Sequence, residues 1–211
     1  MKRRPQNIDY TRRKPIQARA IDTIDAILLA CAQILEKHGR AALNTNHIAE
    51  RAGVSIGTLY QYFPNKQAIL IEIARREIER DRAVVMNAII EGRKDNRAEL
   101  ARICIRALIA SQRKQTVVRR AAFDALLAEG LAQFGSKSAP AFQQVTEFIQ
   151  QNRKRLFSVR ARQPSATILF VISRAVLGVI RSAIVEESPL LGTAEFEDEL
   201  VRLVRGYFVA A

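Results

Sequence analysis

Between Ile21 and Leu35, apolar side chains recur at Ile21, Ile24, Leu28, Cys31 and Leu35, with Ile27 and Ile34 beside them. That spacing, near 3.6 residues, is the stripe of an amphipathic helix. Gly39 is the expected stop, and Asp22 and Asp25 early with Lys37 and His38 late suit the helix dipole. Two short helices follow, from about Asn46 to Ala52 and from Ile56 to Phe63, with Thr45 and Ser55 as their expected caps. A long helix is expected to open at Asn65, an N-cap residue, because Pro64 forces a break before it. Its apolar positions, Ile69, Leu70 and Ile73, give way to the charged run Arg75 to Arg82 and return at Val84, Val85, Ala88 and Ile89. This pattern predicts a connector with a solvated middle, laced by Glu72 with Arg76 and Arg75 with Glu79.

Beyond the turn at Gly92 to Asn96, the pattern predicts helices over roughly 97–111, 115–128, 139–159, 164–187 and 194–209. Gly130, Gly135, Ser136 and Ser138 read as a flexible loop, Pro164 as a first-turn residue, and Ser188, Pro189 and Gly192 as the last turn. No strand pattern or internal repeat is present, so the fold class is all-α. The expected division is a basic arm over 1–19, a first helical domain over 20–66 and a second over 67–211.

Composition narrows the function. A formal net charge of +13 favours polyanionic partners. Seven cations, among them Arg12, Arg13 and Lys14, stand against the single Asp9 in the first twenty residues. On charge alone, a solubilising tail explains that arm equally well. Cys31 and Cys104 are far apart, so neither a disulfide framework nor a zinc site is indicated, and both read as core residues. The longest apolar stretch, Ile168 to Val185, carries Arg174 and Arg181, so no membrane span is expected. With no secretory segment read at the start, the expected location is the cytoplasm. Two histidines, separated cysteines and no glycine-rich phosphate loop supply little for catalysis. No enzyme activity, metal or cofactor is expected.

The segment Thr45-Asn-His-Ile-Ala-Glu-Arg-Ala-Gly-Val-Ser-Ile-Gly-Thr-Leu-Tyr-Gln-Tyr-Phe-Pro-Asn-Lys66 carries the functional signal. Two short helices joined by Ala52-Gly53-Val54-Ser55 have the helix-turn-helix form, and Gly53 permits the positive backbone angle of the turn. Ile48, Val54, Leu59 and Phe63 are expected to face the first helix, leaving Asn46, His47, Ser55, Thr58, Tyr60, Gln61 and Tyr62 outside. Hydroxyls and amides in that arrangement suit phosphate contact and base reading. Lys66 is placed to clamp a further phosphate.

The run Ile48-Ala-Glu-Arg-Ala-Gly-Val-Ser, then Gly57-Thr-Leu-Tyr-Gln-Tyr-Phe and Asn65-Lys, resembles the DNA-binding signature of TetR-type (tetracycline-repressor-like) transcriptional regulators over about residues 20 to 75. The resemblance implies a homodimer of nine or ten helices per chain that binds double-stranded DNA at a palindromic operator. It also implies a C-terminal domain that takes a small-molecule effector and releases the DNA. Carried over by position, it gives Thr45, Tyr60 and Lys66 as phosphate contacts. Asn46, Ser55, Thr58, Gln61 and Tyr62 become candidates for base or backbone contact, and Gly57 lies within the same stretch. Ile56 departs from the usual basic or polar residue and either packs, the favoured reading, or touches a thymine methyl. His47 is as readily a surface histidine as a phosphate contact. Arg12, Arg13 and Lys14 are placed to enter an adjacent minor groove.

The helix over 164–187 is apolar nearly all round and must be covered on more than one side. Ile172, Val176, Val179 and Ile180, with Leu200, Leu203, Val204 and Tyr207 of the final helix, are the expected dimer contacts. Phe123, Phe142 and Phe148 are candidate effector-pocket residues, although an ordinary core explains them better. Arg106, Arg119, Arg120 and Arg174 suggest an anionic effector. The competing functions are a nonspecific architectural DNA-binding protein and a helical adaptor.

Overall fold

The computed structural model describes residues 18–92, 99–156 and 164–207, apart from the side chains of 18, 92, 131–134, 137–138 and 155. Among the described residues there are ten α-helices, one 3₁₀ turn and no strand, as the patterning required. Arg12, Arg13 and Lys14 lie outside them.

Helix α1 (Ala18–His38) buries Ile24, Ile27, Leu28, Cys31, Ile34 and Leu35, while Ile21 at its start is exposed. Gly39, at φ 73°, ends it before the 3₁₀ turn Arg40–Ala42. Helix α2 (Thr45–Ala52) is capped by Asn44, whose side chain accepts from His47 N–H at 2.8 Å. The cap therefore falls one residue before Thr45, which frees the threonine hydroxyl. Gly53, at φ 68° and ψ 29°, closes α2 in the left-handed conformation that costs glycine least. Helix α3 (Ile56–Tyr62) opens on Ser55, whose hydroxyl accepts from Thr58 N–H at 3.0 Å. Asn65 caps α4 (Lys66–Gly92) by accepting from Ala68 N–H at 2.9 Å.

Ile48, Ala49, Leu59 and Phe63 are buried against α1 and the first turns of α4. Their cluster continues into α6 (Thr116–Ala128) through Val118, Phe123 and Leu126, so packing is unbroken across residue 66. A second cluster joins α5 (Leu100–Gln112), α9 (Ala166–Val185) and α10 (Ala194–Gly206).

Three expectations are corrected. Helix α7 (Leu131–Gln151) starts at Leu131, not 139, and runs through Gly135 and Pro140; the short α8 (Arg153–Leu156) follows it. The middle of α4 is not solvated all round: Glu77 and Asp81 are buried there. Arg119, only 1% exposed, pairs with Glu77 and lies 3.3 Å from Asp81. Of the expected α4 pairs, Glu72–Arg76 forms at 3.2 Å, whereas Arg75 pairs with Glu72 and Glu79 with Arg82.

The third correction concerns the expected dimer contacts. Ile172, Val176 and Ile180 of α9 and Leu200 of α10 are buried within the protomer, against α5 and each other. The sequence gives a helix apolar on all sides no preferred phase, so the stripe facing α5 was mistaken for an outer one. The exposed apolar residues of α9 are Phe170, Val171 and Val179, and that of α10 is Leu203; Val204 and Tyr207 are half-buried. By length and composition α9 is apolar enough to cross a membrane. Its inner stripe instead fills the second core cluster, a sufficient reason for that composition.

Candidate nucleic-acid interface

The turn at Gly53 sets α3 across α2 and brings Thr45 and Tyr60 together, fifteen residues apart in sequence. Their hydroxyls are 3.1 Å apart at the surface, so together they offer a donor and an acceptor to an outside group. Lys66 approaches the same side from the start of α4: its Nζ donates to Leu43 O at 2.9 Å, two residues before α2 begins. The bond uses one of three ammonium donors and anchors the charge beside the α2 N-terminus.

Asn46, Ser55, Ile56, Tyr60 and Gln61 are exposed, and Thr45, His47, Thr58 and Tyr62 are half-buried. Ile56 is 38% exposed at the first position of α3, so part of its side chain faces outward. Thr58 is not wholly free, since its hydroxyl lies 2.8 Å from Ser55 Oγ within the cap. Tyr62 leans on the first core cluster, which leaves only part of its ring and the hydroxyl for an outside partner. His47 Nδ1 lies 3.4 Å from Ala42 O, and its ring tilts against His38 with centroids 6.1 Å apart. A Cβ added at Gly57 would meet only Ser55 Oγ at 3.7 Å, so nothing inside the protein demands glycine there. Asn44 is what sequence reasoning missed; Asn44-Thr45 offers two good cap residues in a row, and only the coordinates choose between them.

Residues 27–73 match the model of the tetR family of bacterial regulatory proteins. This N-terminal domain belongs to that family. The tetR-type domain is 42% identical over 66 residues to the HTH-type transcriptional repressor KstR of Mycolicibacterium smegmatis, a match covering 31% of this chain and 32% of the relative. The match thus spans about a third of that relative's length. The fold extends the likeness over most of the chain. A TetR-family regulator from Mesorhizobium loti superposes with TM-score 0.68 at 15% identity, covering 92% of this chain and 100% of the other. FadR of Thermus thermophilus, solved with lauroyl-CoA, superposes with TM-score 0.64 at 18% identity, covering 89% and 96%.

Behind the tetR-type domain lies a cavity of about 560 Å³ between α4, α5, α7 and α9, bordered by Val85, Cys104, Leu108, Phe142, Ile149 and Leu169, among others. A second, of about 690 Å³, is bordered by Phe123, Phe142, Phe170 and Arg174. Phe148 borders neither. The arginines that suggested an anionic effector are mostly occupied: Arg119 by Glu77 and Asp81, Arg106 by Glu197 at 2.8 Å, and Arg120 by Glu187. Arg174 stacks on the rings of Phe170 and Phe142, 3.6 and 4.5 Å from their centroids. Burial pushes the Cys104 and Cys31 thiols up to about 12, so neither is a ready thiolate.

Proposed function

We propose that this chain is a homodimeric, sequence-specific DNA-binding transcriptional regulator, a repressor released from a palindromic operator by a small molecule. The observation that carries it is the joined Thr45–Tyr60 hydroxyl pair with Lys66 anchored alongside and Gln61 free on the same helix pair. Hydroxyls and a fixed ammonium hold phosphates and set the register, while an exposed amide is suited to reading an adenine edge. In this reading Asn46, Ser55, Gly57 and Thr58 lie against the groove wall, Ile56 meets a thymine methyl, and Arg12, Arg13 and Lys14 reach the neighbouring minor groove.

The KstR relatives are named as transcriptional repressors, which supports repression here. Residues 20–66 form the DNA-binding domain and 67–211 the effector-binding and dimerisation domain. The exposed Phe170, Val171, Val179 and Leu203 pair with their symmetry mates to form a four-helix interface. The protein works in the cytoplasm and performs no catalysis.

Selection of bound fragments from random DNA by the full chain, followed by footprinting, tests the proposal. The expected result is a palindrome with half-sites about one helical turn or more apart. Weak, uniform protection of all sequences would overturn it and favour an architectural protein.

A further inference from the structure

The cavity between α4, α5, α7 and α9 has an uneven lining. Asp81 and Arg181 border it, with the Arg181 guanidinium 3.9 Å from Asp81 Oδ2. From that pair the wall runs along α4 through Val85 to Ile89 and along α9 through Leu177 and Ser173 to Leu169. The eleven residue-to-residue steps from Ile78 to Ile89 give it a length of about 16 Å at the helical rise.

The charges behind the Asp81 end compensate one another. Arg119 serves Glu77 and Asp81, Gln112 Nε2 donates to Asp81 Oδ2 at 2.6 Å, and Arg181 faces the same oxygen. Two carboxylates thus stand against two guanidiniums, with exposed Arg80 pairing to Glu77 from outside. Arg82, also on the wall, is held by Glu79 at 2.8 Å, and Arg205 is exposed to water, where its charge is screened. An ionised group placed among these would add an uncompensated charge to a cavity walled mostly by apolar side chains, whereas a hydroxyl or carbonyl adds none.

We propose that this cavity takes an elongated neutral molecule, apolar along its length, with one hydrogen-bonding group that meets the Asp81–Arg181 pair. The inference rests on the effector-regulated reading of the chain and names the ligand class that reading leaves open. The apolar body lies along Val85, Cys104 and Leu169, and the end group exchanges hydrogen bonds with the Asp81 carboxylate or the Arg181 guanidinium.

Isothermal titration of the full chain with dodecan-1-ol, dodecanoate and dodecyltrimethylammonium, each below its micellar concentration, tests it. The alcohol binds one per chain, roughly tenfold or more tighter than either ion, and hexan-1-ol binds more weakly than dodecan-1-ol. Cys104→Phe, which projects a ring into the cavity, weakens alcohol binding about tenfold or more with the circular dichroism unchanged. Asp81→Asn leaves the cluster with excess positive charge and shifts the preference towards dodecanoate by about tenfold. No alcohol binding, an ion binding as tightly as the alcohol, full binding by folded Cys104→Phe, or an unchanged preference in folded Asp81→Asn overturns the proposal. The comparison of alcohol with ions and of chain lengths uses the unaltered protein and decides the matter should a variant not fold. No DNA is present, so failure here leaves the DNA-binding reading standing, and failure of the DNA selection leaves this one standing.

Discussion

Thr45 Oγ1 and Tyr60 Oη, on different helices, sit 3.1 Å apart on the surface that the Gly53 turn creates. Each orients the other, so under the proposed function a phosphate oxygen would meet a prearranged pair. Tyr60→Phe therefore weakens binding to every sequence alike, and Lys66→Ala does the same while reducing the slope of log affinity against log salt by about one. Titrations at several salt concentrations, on operator and on unrelated DNA, give both quantities. Because Lys66 also donates to Leu43 O, a urea denaturation of Lys66→Ala should accompany them.

Gln61 is exposed one position beyond Tyr60. Gln61→Ala should relax the preference at a single base position by about 1–3 kcal/mol and leave the salt slope unchanged. Repeating the fragment selection with the variant reads this directly; an unaltered preferred sequence would show that Gln61 does not read bases.

The buried Arg119 cluster makes a different demand. Truncating Arg119 removes the buried partner that Glu77 and Asp81 share and leaves them to Arg80, Gln112 and Arg181, and breaking a buried pair costs up to about 3–5 kcal/mol. Arg119→Met should lower the urea midpoint accordingly. Adding Glu77→Gln in the same chain should recover part of the loss, because one carboxylate is then gone while Asp81 keeps Gln112 and Arg181.

That cluster also marks where the sequence stopped being legible. The helix pair was readable because Gly53, Ser55 and Asn65 punctuate it, and the apolar residues between them have one possible inner face. Arg75 to Arg82 showed only an alternation of charges; nothing in it says that Glu77 and Asp81 point inward, because their partner Arg119 lies on α6, some forty residues on. The phase of α9 was hidden for the opposite reason, since apolar residues all round give every phase the same score. Helix α7 was placed eight residues late because Gly135, Ser136 and Ser138, following Gly130, carry local signals for a loop, yet the helix runs through all three.

The corrected phase of α9 yields its own prediction. Val179→Glu places a charge on the exposed stripe and should convert the proposed dimer to a monomer in sedimentation analysis, with the circular dichroism of the native chain retained. Ile180→Glu, one position on, buries a charge in the protomer core and should unfold the chain instead. A dimer that survives Val179→Glu would place the interface elsewhere.

Helix α10 is tied to α5 by Glu197, which accepts from Arg106 at 2.8 and 3.1 Å and from Arg102 at 3.0 Å. These bonds, that of Arg106 foremost, hold the Glu197 carboxyl below its ordinary value of 4.5. A carboxyl with a lower pKa in the folded chain than in the unfolded one contributes its stability above the unfolded value and loses it as pH falls through the folded value. Glu77 and Asp81 act in the opposite sense: burial raises both, so the folded chain holds their protons to higher pH than the unfolded chain does, and their contribution falls as pH rises. Comparison with Glu197→Gln at each pH cancels that opposing slope, which is common to both proteins. The unaltered chain should be the more stable at pH 7, with the difference in urea midpoint shrinking below pH 4.5 and vanishing in stronger acid. A difference that does not change across this range would mean that Glu197 steadies α10 through packing rather than through its charge.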